Sequence, residues 1–194
     1  MKRKWLWMFL LGAILVAGCG PNKDAAQVSI TAAQTAFDAG KDQAMMVVPD
    51  EALSIQATID GAKASMEKGE YKAAIDSANA IPARVKAMSD GLGAKAAEMQ
   101  ASWEKMKEFP QALVALNDEV TKLAKAKKLP AGIDAAKLSA AKTALGTITQ
   151  NWTEAQAAYQ SGNLAEAMTK AEMAKQAAVG TMNSLKMALP EMMK

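Results

Sequence analysis

Residues 134–161 read DAAKLSAAKTALGTITQNWTEAQAAYQS. Leu138, Ala141, Leu145, Ile148, Trp152, Ala155 and Tyr159 recur in this stretch at alternating spacings of three and four, which sets all of them on one face of an α-helix. The same rhythm runs through Ala52, Ile55, Ile59, Ala62 and Met66, and through Leu113, Leu116, Val120 and Leu123. Seams sustained at this spacing pack helix against helix at a shallow angle, near +20°, as in bundles and coiled coils.

Composition points the same way. Alanine, lysine, methionine, glutamate and glutamine dominate a chain that is 51% hydrophobic and only 5% aromatic, a balance that favours helix over strand. The expected fold is all-α, with antiparallel hairpins forming a bundle of about six helices. A length of 194 residues fits one domain, and the apolar content is ample for a core.

Breakers place the boundaries. Pro49-Asp50 ends a first helix expected over about 24–46 and starts the second, while Gly69 and Gly162 mark tight helix turns. Phe109-Pro110 and Leu129-Pro130-Ala131-Gly132 divide the remainder. Pro82 falls inside a helical segment and either begins a new helix or kinks a long one. Across Asp90-Gly91-Leu92-Gly93 a single apolar stripe continues from Met88 through Leu92, Ala96, Met99 and Trp103 to Met106, so helix is expected to continue there. Two hairpins are expected, over about 50–107 and 134–188.

The first twenty residues have another character. Lys2, Arg3 and Lys4 precede a twelve-residue apolar run over 5–16, too short for the roughly 20 residues of a membrane span and ordered as a secretory signal. Val16-Ala17-Gly18-Cys19 resembles the lipobox of bacterial lipoproteins. That resemblance implies cleavage after Gly18, a diacylglyceryl thioether on Cys19 and usually a further acyl group on the new amine. It divides the chain into a signal peptide (1–18), a lipidated tether (19–23) and a helical domain (24–194). Each buried methylene is worth about 0.8 kcal/mol, so two or three chains anchor far more firmly than one. The competing reading leaves Cys19 an inert thiol inside an uncleaved anchor. Gly20, where an aspartate commonly retains such proteins at the inner membrane, implies by the same resemblance the periplasmic face of the outer membrane in a host with two membranes.

All 20 acidic residues follow Cys19, whereas three of the 23 basic ones precede it, so the chain from Cys19 onward is formally neutral. Neutrality removes the usual electrostatic reason to expect nucleic acid as a partner. Beyond Cys19 there is no thiol for disulfides, thiolate catalysis or a cysteine metal site.

Aligning the glycine turns reveals a repeat. Ala33-x-x-Ala36-Phe37-x-x-Gly40, Ala62-x-x-Ser65-Met66-x-x-Gly69 and Ala155-x-x-Ala158-Tyr159-x-x-Gly162 share one pattern. The second copy continues with Tyr71, Ala74 and Ala78, and the third with Leu164, Ala167 and Ala171, at equal offsets; the first does not. These two copies resemble the middle of a tetratricopeptide repeat, although they lie 93 residues apart where that repeat recurs every 34 or so. Antiparallel hairpins with shared turn chemistry are the other account.

Chemistry is sparse. Histidine is absent, which removes the commonest general base and metal ligand, and no glycine-rich phosphate loop is present. Asp118-Glu119 and Glu166/Glu172 are spaced as solvated helix positions. Met168/Met173, Met182/Met187 and Met192-Met193 could offer thioethers to Cu(I), but they share stripes with leucine and alanine, where methionine fills cores; an adaptable binding face is the third possibility. Trp103, Trp152 and Tyr159 are the candidates for stacking a ligand between helices, with core packing as the alternative. Lys194 resembles the terminal lysine that joins the murein lipoprotein to peptidoglycan, and equally suits a helix end that favours a cation. No catalytic residue, metal or cofactor is expected. The expected function is that of a lipid-anchored, non-enzymatic envelope protein that contacts a protein partner through its helices. The alternatives are a small-ligand or metal-binding lipoprotein serving a transporter, and a passive envelope spacer.

Overall fold

The computed structural model describes residues 21–193, so Gly18, Cys19 and Lys194 lie outside the described residues. Within them the chain is all-α. The order is α1 (Lys23–Asp38), α2 (Lys41–Val47), α3 (Pro49–Glu67), α4 (Tyr71–Lys105), α5 (Phe109–Lys125), α6 (Ala135–Gln160) and α7 (Leu164–Ser184), followed by a single 3-10 turn (Glu191–Met193).

Local chemistry starts the helices. The Asn22 side chain accepts from the Ala25 amide at 2.8 Å, and Asp134 accepts from the Lys137 amide at 2.8 Å. Asn163 accepts from the Glu166 amide at 3.2 Å while its own side-chain amide donates back to the Glu166 carboxylate at 2.8 Å, a reciprocal cap. Pro49 and Pro110 occupy first-turn positions of α3 and α5, where a missing N–H costs no helical bond.

The single first helix expected over 24–46 is two helices. The Gly40 amide turns back to the Phe37 carbonyl at 3.1 Å, and the chain changes direction there to lay α2 against α3 and α4, burying Ala44 and Val47. Pro82 and the Gly91/Gly93 pair lie inside one continuous α4, with all three on exposed positions and no new helix starting at Pro82.

Two antiparallel hairpins form the frame. In the turn between α3 and α4 the Glu70 amide donates to the Ser65 carbonyl (2.9 Å) and the Gly69 amide to the Met66 carbonyl (3.1 Å). Between α6 and α7, Asn163 and Gly162 make the same bonds to Ala158 and Tyr159, at 2.9 and 3.0 Å. Gly69 and Gly162 have φ of +80° and +82°, the left-handed conformation that glycine adopts without a Cβ clash. Fully buried Ala74 and Ala78 in one hairpin, and Ala155, Ala171, Ala174 and Ala178 in the other, let paired helices approach closely.

Each hairpin acquires a cover. α1 lies against α3 and α4 and with α2 completes a first core around Phe37, Ile55, Ile59 and Ile81. α5 and the tail over 185–193 close a second core around Phe109, Leu116, Ile148 and Met182. Leu164, at the start of α7, packs into the first core, so the α6–α7 turn is where the two cores meet.

Candidate functional site

The three rings singled out from the sequence come together. Trp103 near the end of α4 stacks on Trp152 at a centroid distance of 5.4 Å and on Tyr159 at 4.4 Å, with planes within 7° and 6° of parallel. Trp152 and Tyr159 stand two turns apart on α6, about 10 Å along the axis. That is the room one ring needs with a neighbour on each face, so Trp103 fills the gap. Phe109 of α5 closes the far side of Trp152 at 4.8 Å and a tilt of 49°.

Position gives this stack its role in the fold. Trp103 and Trp152 belong to the second core, whereas Tyr159 packs against the first. Trp152 is buried and the other two are half-buried. The rings therefore rivet α4 to α6 where the cores meet, and each stacked pair adds about 0.5–1.5 kcal/mol beyond the area it buries. Trp103 is covered on both faces, and Trp152 and Tyr159 each give one face to it.

Ion pairs flank the stack. Lys107 pairs with Glu104 just past Trp103, and the Glu104 carboxylate holds the Lys107 ammonium above the ordinary lysine range through its hydrogen bond and charge. Across the α6–α7 seam the Lys170 ammonium donates to Glu154 at 2.5 Å. Lys170 and then Gln150 donate to Glu154, holding its carboxyl below the usual carboxylate range, while Glu154 raises Lys170.

The remaining candidates are dispersed. Glu119 pairs with Lys122, Glu166 caps α7 and Glu172 accepts from Gln176. Met182 and Met193 are buried in the second core with Met187 and Met192 packed beside them, while Met173 is exposed on α7. Among the described residues no cluster of acidic side chains is arranged to hold a metal ion, and no helix is long and apolar enough to cross a membrane. A cleft of about 490 Å³ opens at the α3–α4 turn between Pro21, Tyr71, Lys72 and Asp76, at the opposite end of α4 from the stack.

One feature escaped the sequence reading. Lys122, Lys125, Lys127, Lys128, Lys137 and Lys142 converge on the connection between α5 and α6, and all are exposed. Overall neutrality conceals them, whereas a running local charge would have found them. No known protein family, curated protein or solved structure matches the chain.

Proposed function

We propose that the chain is an exported, lipid-anchored envelope protein whose helical body serves as a non-enzymatic interaction or scaffold module for a protein partner. The observation that carries this reading is the Val16-Ala17-Gly18-Cys19 lipobox behind a charged and apolar leader. The geometry next to it is in keeping. Asn22 caps α1 only three residues after Cys19, so a lipid on that cysteine would hold the body close to the bilayer. Pro21 lies beside the α3–α4 turn, so the same anchor would keep that turn near the bilayer.

Support for a module over a ligand carrier comes from the stack. A carrier would need aromatic faces open to cargo, whereas Trp103 has Trp152 on one face and Tyr159 on the other.

Mass spectrometry of the natively produced protein tests the anchor. The expected N-terminal residue is an acylated Cys19, and an intact Met1 or an unmodified thiol sinks the reading. In-cell cross-linking tests the module, with a reproducible protein neighbour expected and none above background counting against it.

A further inference from the structure

The lysines at the α5–α6 connection mark one pole of the molecule. Lys122 and Lys125 end α5, Lys127 and Lys128 follow it, Lys137 lies in the first turn of α6 and Lys142 at its eighth residue. Lys186, at the end of α7, donates to the Ala131 carbonyl at 3.0 Å and adds its charge to the same loop. The nearby carboxylates, Glu119 and Asp134, are engaged with Lys122 and with the Lys137 amide. Residues 21–118, by contrast, carry fourteen acidic side chains against ten basic. The neutral chain is electrically polar.

Helix dipoles explain only part of this. Cations are favoured at the C-terminal end of α5, but in the first turn of α6 the dipole opposes them, and Lys137 stands there nonetheless. The pole is also remote from the first core. Phe109 and Trp152 meet where the cores join, and α5 and α6 run from that level to the 126–134 connection at their other end.

The chemistry of the pole selects its partner. The pole holds no arginine for bidentate recognition, and no aromatic residue lies between Phe109 and Trp152 to stack on bases or sugar rings. The lysines stand exposed around one helix connection, where they can face a plane together. An anionic bilayer is such a plane, and its surface potential attracts each lysine that comes within a Debye length of it. Which bilayer it meets rests on the lipid-anchored reading: a tether of a few residues raises the effective concentration of the pole at its own membrane far above that at any other. We propose that the lysine pole seats on the anionic headgroups of the bilayer that holds the Cys19 anchor. The body then lies along the membrane, with α4 spanning about 50 Å beside the surface.

Energy transfer on vesicles tests this. Ala126→Cys places a dye among the lysines of the native protein, whose only other cysteine is Cys19, and the acceptor is carried on lipid headgroups. Transfer is expected to be about twofold greater on vesicles with about a third phosphatidylglycerol than on pure phosphatidylcholine. It should fall to the neutral-vesicle level at about 1 M salt and in Lys125→Glu/Lys127→Glu/Lys128→Glu, with Lys127→Gln/Lys128→Gln intermediate. Equal transfer on both vesicle types, or transfer indifferent to the substitutions, overturns the proposal. So does an absence of vesicle contrast combined with lysine-dependent binding of inorganic polyphosphate, which would assign the pole to a soluble polyanion. Dye uptake by the unsubstituted chain reports separately that Cys19 is free, a failure of the anchor and not of the pole.

Discussion

The two cores solve one problem with different materials. A two-helix hairpin cannot bury its apolar face alone, and each hairpin here borrows a cover. The α3–α4 hairpin takes α1, which arrives through short turns and is tied by polar bridges: Lys63 to Gln34 at 3.0 Å, and, within the hairpin, Arg84 to Thr58 and Ser54 at 2.8 and 2.9 Å. Its interior is mostly alanine and isoleucine around one phenylalanine, with Val47, Met88, Leu92 and Leu164 at single positions. The α6–α7 hairpin takes α5 and an irregular tail, and its interior adds a tryptophan, more leucine and more methionine to a similar complement of alanine. Regular helices meeting along alanine seams need little more than β-branched filler. Irregular covers leave uneven gaps, which large rings and flexible thioethers suit.

The largest test of this contrast removes the ring at the junction. Trp152→Ala is expected to cost ~3–5 kcal/mol in denaturant unfolding, because a buried indole leaves both a cavity and two orphaned ring faces. It should also separate one unfolding transition into two, with the α1–α4 part outlasting the rest. A single unshifted transition would show that the stack does not couple the cores.

Next come the seams. Ala78→Leu and Ala171→Leu, both at fully buried alanines, should each cost ~1–3 kcal/mol by overpacking, measured the same way. Similar losses would mean that both hairpins rest on equally close approach. The turns follow. Gly69→Ala and Gly162→Ala force a Cβ into the left-handed region and should each cost ~1–2 kcal/mol, with a lower thermal midpoint for both. Gly91→Ala and Gly93→Ala have the opposite sign. Both glycines sit in α4 with open space where a Cβ would go, so each substitution should stabilise by ~0.5–1 kcal/mol and raise the midpoint.

The smallest effect is electrostatic. Glu154 lies below its usual range when folded, so its contribution is present above the ordinary glutamate value and fades as pH falls through the lowered one. Lys170 lies above its usual range, so its contribution holds below the ordinary lysine value and fades as pH rises through the raised one. Glu154→Gln should flatten the acid limb of a stability–pH curve and leave the neutral plateau almost unmoved, since the pair is partly solvated.

Much of this architecture was legible because it is local. The stripe from Leu138 to Tyr159 is buried or half-buried along α6 as its spacing requires, and the glycines of both hairpin turns adopt the conformation their positions implied. The break after Asp38 was missed because Gly40 is not left-handed; its φ is −129°, and contacts of α2 with α3 and α4 set the turn more than the residue does. The three rings stand out in the sequence, but their stacking on one another joins residues 49 and 56 positions apart, which no periodicity encodes. The lysine pole was hidden because opposite charges elsewhere cancel it in the sum.

α1 and α4 start at the same end, Pro21 beside Tyr71, and stay side by side as far as Gly40 and Ser89, where a methyl added to Gly40 would stand 3.9 Å from the Ser89 Oγ. Tension applied through the N-terminus therefore pulls α1 lengthwise past its neighbour. The load falls on many side-chain contacts in shear at once, an arrangement that resists extraction better than one in which helices peel away singly.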